Sequence, residues 1–193
     1  VEWGDKENPD VLICAHALTR NSRDFDYLAR DLQKTYRIIC PDLIGRGKSD
    51  YPGNALVYNF PQYMSDMVAL LARTGVENVH WLGTSLGGII GMMLAAQPFS
   101  PIKSLILNNV GMIVPSLALQ RIGTYARNNH GFSSFEDAKS YFQTVLSPMG
   151  ALDSEKWSHI TKYSTLASTT EALRLAYDPC LLYTSDAADD TPC

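Results

Sequence analysis

Gly83-Thr84-Ser85-Leu86-Gly87 is the stretch of sequence that decides the fold. The preceding residues, 79–82, have the pattern of a buried strand, and an apolar helix rich in small residues follows at 87–96. A strand, a Gly-x-Ser-x-Gly turn and a helix in this order are typical of a nucleophile elbow, which exposes the serine hydroxyl on a strained turn. Glycines fit this turn because it leaves no room for side chains beside the serine. We therefore predict that Ser85 is a nucleophile next to a helix N-terminus that stabilises an oxyanion.

The composition is that of one globular domain with an ordinary core: 193 residues, 46% hydrophobic and 19% charged. A formal net charge of −4 gives no reason to expect nucleic acid or a membrane as a partner. No apolar run approaches the roughly 20 residues that span a bilayer, and residues 1–5 do not resemble a secretory signal. Cys14 and Cys40 lie in predicted strands, so we interpret them as core residues. We expect a cytoplasmic protein that acts on a small-molecule substrate without a metal or cofactor.

Strand and helix signals alternate through residues 1–111, which predicts an α/β fold with a mostly parallel sheet flanked by helices. Besides the strand before Ser85, apolar strands are predicted at 11–15, 36–40 and 102–107. The apolar residues of 24–34 have helical spacing, and Pro61 fits the first turn of a further helix.

After Gly111, helical signals follow one another without a convincing strand between them. Helices are predicted at 115–127, at 134–146, where Ser-x-x-Asp marks the start, and from Asp153 onwards. A helical insertion at this place in the chain is where a lid over an active site is expected. We therefore divide the chain into a core at 1–111 and a helical lid at 112–179.

Residues 180–193 differ in kind from the rest. The sequence CLLYTSDAADD at 180–190 resembles the in-frame translation of a transposase adapter used in sequencing libraries. We interpret 180–193 as a non-native tail and exclude it from the prediction of the fold. On this interpretation the natural sequence is interrupted near Pro179.

Two loops follow predicted strands at the edge where open α/β sheets bind their ligands. His16-Ala17-Leu18-Thr19-Arg20-Asn21 follows the first apolar strand, and one of its N–H groups can share an oxyanion with the N–H of Leu86. The next loop contains Gly47-Lys48-Ser49, which is similar to the end of a phosphate-binding loop. Such a loop requires glycine five residues before Gly47, where this sequence has Asp42, so we reject a nucleotide site.

Together these segments resemble an incomplete α/β-hydrolase core with a helical lid, and the resemblance covers residues 3–179. In that family a His-Gly loop, a Pro-Asp-x-x-Gly-x-Gly-x-Ser segment, a Gly-x-Ser-x-Gly elbow and a lid occur in this order. The chain is similar to bacterial single-domain hydrolases with the loop His-Gly-Leu-Thr-Arg-Asn and a later Leu-Asn-Asp-Val-Gly. Here Ala17 replaces the usual glycine and Asn109 replaces the aspartate, so an acid role at position 109 is lost.

The resemblance implies roles for individual residues. Ser85 is expected to be the nucleophile, with the backbone N–H groups of Leu86 and Leu18 as oxyanion donors. Residues expected to contact the substrate are His16, Ala17, Arg20 and Thr84. For Arg20 two alternatives stay open, a grip on a substrate carboxylate and an ion pair with an acid, while Thr84 also fits a packing role.

A serine hydroxyl needs an oriented base, and the family order is Ser, then Asp or Glu, then His. His16 belongs to the oxyanion loop, His80 begins the strand before the elbow, and His130 and His159 fall in the presumed lid. We therefore expect the catalytic acid and histidine to lie outside this chain and the chain alone to be inactive.

The expected reaction of the whole enzyme is hydrolysis of a small carboxylic ester, thioester or lactone through an acyl-enzyme. Serine at the elbow, in place of aspartate, disfavours the epoxide hydrolases and haloalkane dehalogenases of the same fold. Two alternatives stay open: a carbon–carbon bond hydrolase acting on ring-cleavage products, and a hydrolase-like binding or receptor module without turnover.

Overall fold

The computed structural model describes residues 1–111, 113, 131–169 and 172–182. Within this part the main sheet has five strands in the order β1-β3-β2-β4-β5. The strands are β1 (Glu2–Trp3), β2 (Val11–Ala15), β3 (Arg37–Ile39), β4 (Val79–Thr84) and β5 (Ile102–Asn108). β1 runs antiparallel to β3, and every other pair is parallel. The predicted mostly parallel α/β sheet is therefore confirmed.

Helices connect the parallel strands and cover both faces of the sheet. These helices are α1 (Asp26–Leu32), preceded by a 3₁₀ turn at Ser22–Phe25, α2 (Phe60–Thr74) and α3 (Leu86–Ala95). Ile13 and Trp81 point to one face, where residues of α2 and α3 pack, and Cys14 points to the other, where Ala29 of α1 packs. The sequence alternates between faces along a strand because successive side chains point in opposite directions. The burial of β2 on both sides explains its unbroken apolar sequence.

The order of the strands brings the carboxyl ends of β2 and β4 together. β2 pairs directly with β4, with Ala15 opposite Gly83, while the chain leaves β2 towards β3 on its other side. Loops that follow adjacent parallel strands at such a reversal enclose a crevice where ligands bind. The two loops that the sequence analysis singled out are therefore neighbours in the fold.

Beyond residue 130 the described chain has two α-helices, α4 (Phe135–Val145) and α5 (Ser154–Ser164). The hydroxyl of Ser134 accepts the N–H of Asp137, which confirms the predicted Ser-x-x-Asp start, and Asp153 caps α5 in the same way. The helix predicted at 115–127 lies outside the described residues.

Two short strands that the sequence pattern did not indicate follow α5. β6 (Thr165–Ala167) and β7 (Leu173–Leu175) form a two-stranded antiparallel sheet. Each strand has only three residues, and β6 follows α5 without an intervening residue, so neither carries an alternation long enough to recognise.

The segment after β7 packs on the core. The N–H of Gly47 donates to the carbonyl of Ala176, and the N–H of Asp178 donates to the carbonyl of Gly45. A short 3₁₀ helix at Pro179–Leu182 then buries Cys180 and Leu181. The start of the predicted tail therefore contacts the core, while residues 183–193 lie outside the described part, and the interpretation of the tail as non-native stays a prediction.

β5 is the least covered strand of the main sheet. Ile106 is 55% exposed and Leu107 is 36% exposed, although the other parallel strands are largely buried. In the described part of the chain β5 has a neighbouring strand on one side only. None of the helices in the described residues is both long and apolar enough to cross a membrane.

Candidate active site

Ser85 lies on the turn that joins β4 to α3. Its φ is 50° and its ψ is −112°, in a region that residues with a side chain rarely adopt. Its N–H donates to the carbonyl of Asn108 at 3.0 Å, and its own carbonyl accepts the N–H groups of Gly88 and Ile89. The strand, the strained serine and the helix follow one another as the sequence predicts for a nucleophile elbow.

The glycines on either side of Ser85 are required by close backbone approach. A Cβ atom at Gly83 would lie 2.3 Å from the carbonyl oxygen of Gly87. A Cβ atom at Gly87 would lie 2.1 Å from the carbonyl oxygen of Ala15, on the neighbouring strand. Only glycine permits α3 to begin this close to the sheet.

The two N–H groups predicted to stabilise an oxyanion lie on adjacent loops. Leu86 is the first residue of α3, where the helix leaves its N–H groups without intrahelical partners. The N–H of Gly87 donates to the carbonyl of His16, which ties the first turn of α3 to the loop after β2. Within the described residues, neither Leu86 nor Leu18 donates its N–H to another group. Their joint action on an oxyanion stays a prediction.

The side chain of His16 is fully buried and holds the loop, and its contact with a substrate stays a prediction. Its Nε2 atom lies 2.9 Å from the N–H of Leu43, so Nε2 is the acceptor and the proton is on Nδ1. Nδ1–H therefore donates to the carbonyl of Ala17 at 2.7 Å. Because this peptide is planar, fixing the Ala17 carbonyl also fixes the direction of the Leu18 N–H. His16 thus orients a predicted oxyanion donor.

Burial lowers the pKa of His16 from its usual 6.5 to about 4. The unfolded chain takes up this proton near pH 6.5, so the stability due to neutral His16 is complete above that pH and is lost as the pH falls towards 4. We expect the free energy of unfolding of the whole protein to fall by roughly 2 kcal/mol between pH 7 and pH 5 because of this residue. Urea denaturation at the two pH values measures the change.

The matched control is His16→Asn, because the asparagine amide keeps a donor for the Ala17 carbonyl and does not titrate. We expect the variant to lose this part of the pH dependence. The same pH dependence in both proteins would contradict the assignment.

Arg46 is a second support of the same loop, and sequence reasoning missed it. The side chain is fully buried, and its Nε donates to the carbonyl of Leu18 at 2.8 Å. Both terminal nitrogens donate to the hydroxyl of Tyr63, and the guanidinium lies over the rings of Tyr58 and Tyr63. No carboxylate pairs with it in the described part of the chain. In the sequence, the only feature that marks Arg46 is its position between two glycines, and this feature does not distinguish a buried arginine from an exposed one.

Ala17 and Thr84 fit their positions without strain. Ala17 does not have a positive φ, so its methyl group replaces the usual glycine hydrogen without a backbone penalty. The hydroxyl of Thr84 accepts a hydrogen bond from the side chain of Asn108 at 3.2 Å, across the β4–β5 pair. This bond accounts for a structural role of Thr84, and contact of either residue with a substrate stays a prediction.

Arg20 forms an ion pair, one of its two predicted alternatives. Its Nε donates to Asp24 at 2.9 Å, and a second nitrogen contacts the other carboxylate oxygen. Its remaining terminal nitrogen donates to the hydroxyl of Ser164 at 2.8 Å, on the last residue of α5. Recognition of a substrate by Arg20 stays a prediction.

The histidines of the described chain have other partners than Ser85. His80 Nδ1 lies 2.7 Å from the hydroxyl of Ser104, and His159 Nε2 lies 3.0 Å from the carbonyl of Arg23. His16 supports the oxyanion loop, and His130 lies outside the described residues. Among the residues that the structure describes, no histidine hydrogen-bonds to Ser85.

Asp178 is a buried carboxylate with a structural role. Its oxygens accept the N–H groups of Gly53 and Cys180, both at 2.9 Å, and the hydroxyl of Tyr58. Desolvation of the Tyr58 hydroxyl, together with this bond, raises the pKa of Tyr58. Asp178 therefore attaches the segment after β7 to the core.

The loop that ends in Gly47-Lys48-Ser49 contains a carboxylate of its own. Asp42 accepts the N–H of Lys48 at 3.0 Å and that of Ser22 at 2.7 Å. A Cβ atom at Gly47 would lie 2.4 Å from this carboxyl group. The N–H groups of residues 45–49 all donate to groups within the chain, in agreement with the rejection of a nucleotide site.

Comparisons with known proteins agree with this geometry. A 3-hydroxybutyrate-oligomer hydrolase from Cupriavidus necator is 48% identical over 159 residues, which are 82% of this chain and 54% of that protein. A crystal structure of an alpha/beta hydrolase from Novosphingobium aromaticivorans has a TM-score of 0.83 and 33% identity, over 99% of this chain and 68% of that one. A protein from Rickettsia typhi has a TM-score of 0.91 and 37% identity, over 95% of this chain and 65% of that one.

The chain spans about half the length of the Cupriavidus relative. The family model described as alpha/beta hydrolase fold matches residues 10–156. The chain therefore belongs to the α/β-hydrolase fold family.

Proposed function

We propose that the whole protein is a serine hydrolase of small carboxylic esters that forms an acyl-enzyme on Ser85. The observation that carries this proposal is the strained conformation of Ser85, with φ of 50°, directly before the N-terminus of α3. Strain of this kind is maintained only where the surrounding structure enforces it, and here Gly83 and Gly87 permit it through close backbone contacts.

The reaction follows from the groups around Ser85. The Ser85 oxygen attacks the ester carbonyl, a carbon–oxygen bond forms, and the alcohol leaves with a proton. Water then hydrolyses the acyl-enzyme and releases the acid. In both steps negative charge develops on the carbonyl oxygen, where the N–H groups of Leu86 and Leu18 stabilise it. The reaction also requires a base and its acid partner, and among the described residues no histidine hydrogen-bonds to Ser85.

The loop after β2 contributes through its rigidity. His16 fixes the peptide that carries the Leu18 N–H, and Arg46 holds the following carbonyl. A donor that is already held in place does not have to reorient when the negative charge develops. Loss of one such donor lowers kcat by a factor on the order of 10²–10³. Ala17 leaves this arrangement intact, because its backbone conformation does not require glycine.

Among small esters, we propose oligomers of 3-hydroxybutyrate as the substrates to test first. The name of the Cupriavidus relative, 48% identical over 159 residues, supports this choice. Such oligomers consist of short hydroxyacyl units joined by ester bonds, which suit acyl transfer to a serine. Thioesters and lactones would react through the same acyl-enzyme.

The test uses the whole protein with a dimer of 3-hydroxybutyrate as substrate. We expect release of one equivalent of acid for each ester bond, measured by titration at constant pH. Rapid quenching followed by peptide mass spectrometry is expected to find the acyl group on Ser85. Acid release without a Ser85 adduct in quenched samples, and without any loss of rate in Ser85→Ala, would contradict the proposal.

A further inference from the structure

A pocket lies between the loop after β2 and the helices of residues 131–169. Its free volume is about 20 Å³, which is room for a group about the size of a water molecule. Phe142 and Val145 of α4 and Leu175 of β7 form its apolar side. Its polar side chains are Thr19, Arg20 and Ser164, and the tyrosines at 141 and 177 also line it. A cavity of this size with polar groups in its wall suits a single small polar group of a ligand, such as a hydroxyl.

The pocket adjoins the predicted oxyanion site through the chain itself. Thr19 lines the pocket and directly follows Leu18, whose N–H is the predicted donor. Consecutive Cα atoms are about 3.8 Å apart. A carbonyl oxygen bound to the Leu18 N–H would therefore lie about one residue from the lining of this pocket.

The polar groups of the pocket have hydrogen-bonding capacity left. A guanidinium carries five N–H donors, and Arg20 uses three of them on Asp24 and Ser164. Within the described residues the other two donors, and the hydroxyl of Thr19, have no partner. The Ser164 hydroxyl accepts from Arg20 and keeps its own hydrogen to donate. The pocket thus offers both donors and acceptors.

The charge of Arg20 is already balanced. Its guanidinium pairs with both oxygens of Asp24, and this pair is partly buried. A substrate carboxylate bound to Arg20 would approach the Asp24 carboxylate in a poorly solvated place, where repulsion between like charges is strong. A hydroxyl group avoids this repulsion and uses the donors and acceptors together.

We infer that this pocket binds the hydroxyl group of a short hydroxyacyl substrate, and that Arg20 and Ser164 select a neutral hydroxyl over a hydrogen atom and over a carboxylate. The inference rests on the proposed function, because it names the acyl group that the same site prefers. On this inference, Arg20 binds a hydroxyl group of the substrate in preference to a carboxylate group.

The experiment compares three p-nitrophenyl esters on the whole protein: the 3-hydroxybutyrate, the butyrate and the hemisuccinate. Their acyl groups carry a hydroxyl, an alkyl chain and a carboxylate, respectively. For each ester, kcat/KM is divided by the rate constant of its hydroxide-catalysed hydrolysis. We expect this normalised kcat/KM to be about tenfold higher for the hydroxybutyrate than for the butyrate, because one hydrogen bond to a charged donor has an effect of this size. The hemisuccinate is expected to react no faster than the butyrate.

Arg20→Lys and Ser164→Ala test the residues. Each substitution is expected to lower the ratio of kcat/KM for the hydroxybutyrate to kcat/KM for the butyrate to about one or two, because the substrate hydroxyl loses a hydrogen-bond partner. The matched control is Arg23→Lys, since Arg23 also pairs with an aspartate and also contacts α5, through Tyr163, but does not line the pocket. The kcat/KM ratio of Arg23→Lys is expected to equal that of the wild type. A general loosening of the contact between the loop after β2 and α5 would instead change the ratio in all three variants.

An unchanged ratio in both pocket variants, or a preference for the hemisuccinate, overturns the inference. Absence of any Ser85-dependent turnover would instead overturn the proposed function. In that case ligand-observed NMR with Ser85→Ala decides the inference separately, using methyl 3-hydroxybutyrate, methyl butyrate and monomethyl succinate. Tighter binding of the hydroxy ester, lost in a Ser85→Ala, Ser164→Ala double variant, supports the pocket, and equal binding of the three esters overturns it.

Discussion

Replacing Ser85 by alanine in the whole protein is expected to lower kcat by a factor on the order of 10⁶. The acyl-enzyme cannot form without the hydroxyl, so only the binding and oxyanion contributions to the rate remain. Hydrolysis of p-nitrophenyl butyrate, followed by the absorbance of nitrophenolate, measures the loss. Ser140→Ala is the matched control, because Ser140 is an exposed serine on α4. It is expected to retain the wild-type rate.

Two further measurements separate a lost nucleophile from a lost fold. Ser85→Ala is expected to unfold within a few degrees of the wild type, because alanine removes a hydroxyl that has no hydrogen-bond partner among the described residues. The 193-residue chain is expected to show only the residual rate of Ser85→Ala, because its described histidines are engaged elsewhere. Full activity in Ser85→Ala would show the assignment of the nucleophile to be wrong. Ser85-dependent turnover by the 193-residue chain would instead show that the chain contains a working base.

Replacing Gly87 by alanine is expected to destabilise the whole protein by about 3 kcal/mol or more. The added Cβ would lie 2.1 Å from the carbonyl oxygen of Ala15, and both partners belong to backbone. β2 is fully buried between β3 and β4, so it has no free space into which to shift. The start of α3 must move instead, and with it the N–H of Leu86. Urea denaturation measures the loss of stability, and kcat/KM measures the displaced donor.

Gly111→Ala is the control for this substitution. The nearest atom to a Cβ there, outside its chain neighbours, is 3.8 Å away, and the residue does not have a positive φ. We expect its effect on the free energy of unfolding to stay within about 0.5 kcal/mol. Similar losses in the two variants would mean that the contact between α3 and β2 is not the cause.

Features predicted correctly from the sequence are those that local interactions determine. The elbow follows from five consecutive residues, the start of α4 from a serine and an aspartate three residues apart, and β2 from an unbroken apolar run. The family could be recognised because several such segments occur in a fixed order. β6 and β7 were missed because three residues carry too little pattern to separate a strand from a helix end.

The sequence by itself determined the mostly parallel sheet, the strained turn at Ser85 and the pair of loops beside it, since each depends on neighbours in the chain. The tertiary structure alone decided that His16 is buried, that Arg46 holds Leu18, and that Arg20 meets Ser164, 144 residues further along. Histidine and arginine are read from sequence as exposed or reactive, and only their partners show whether they support a loop or meet a ligand. Such partners are brought together by packing between distant segments, which no local pattern encodes.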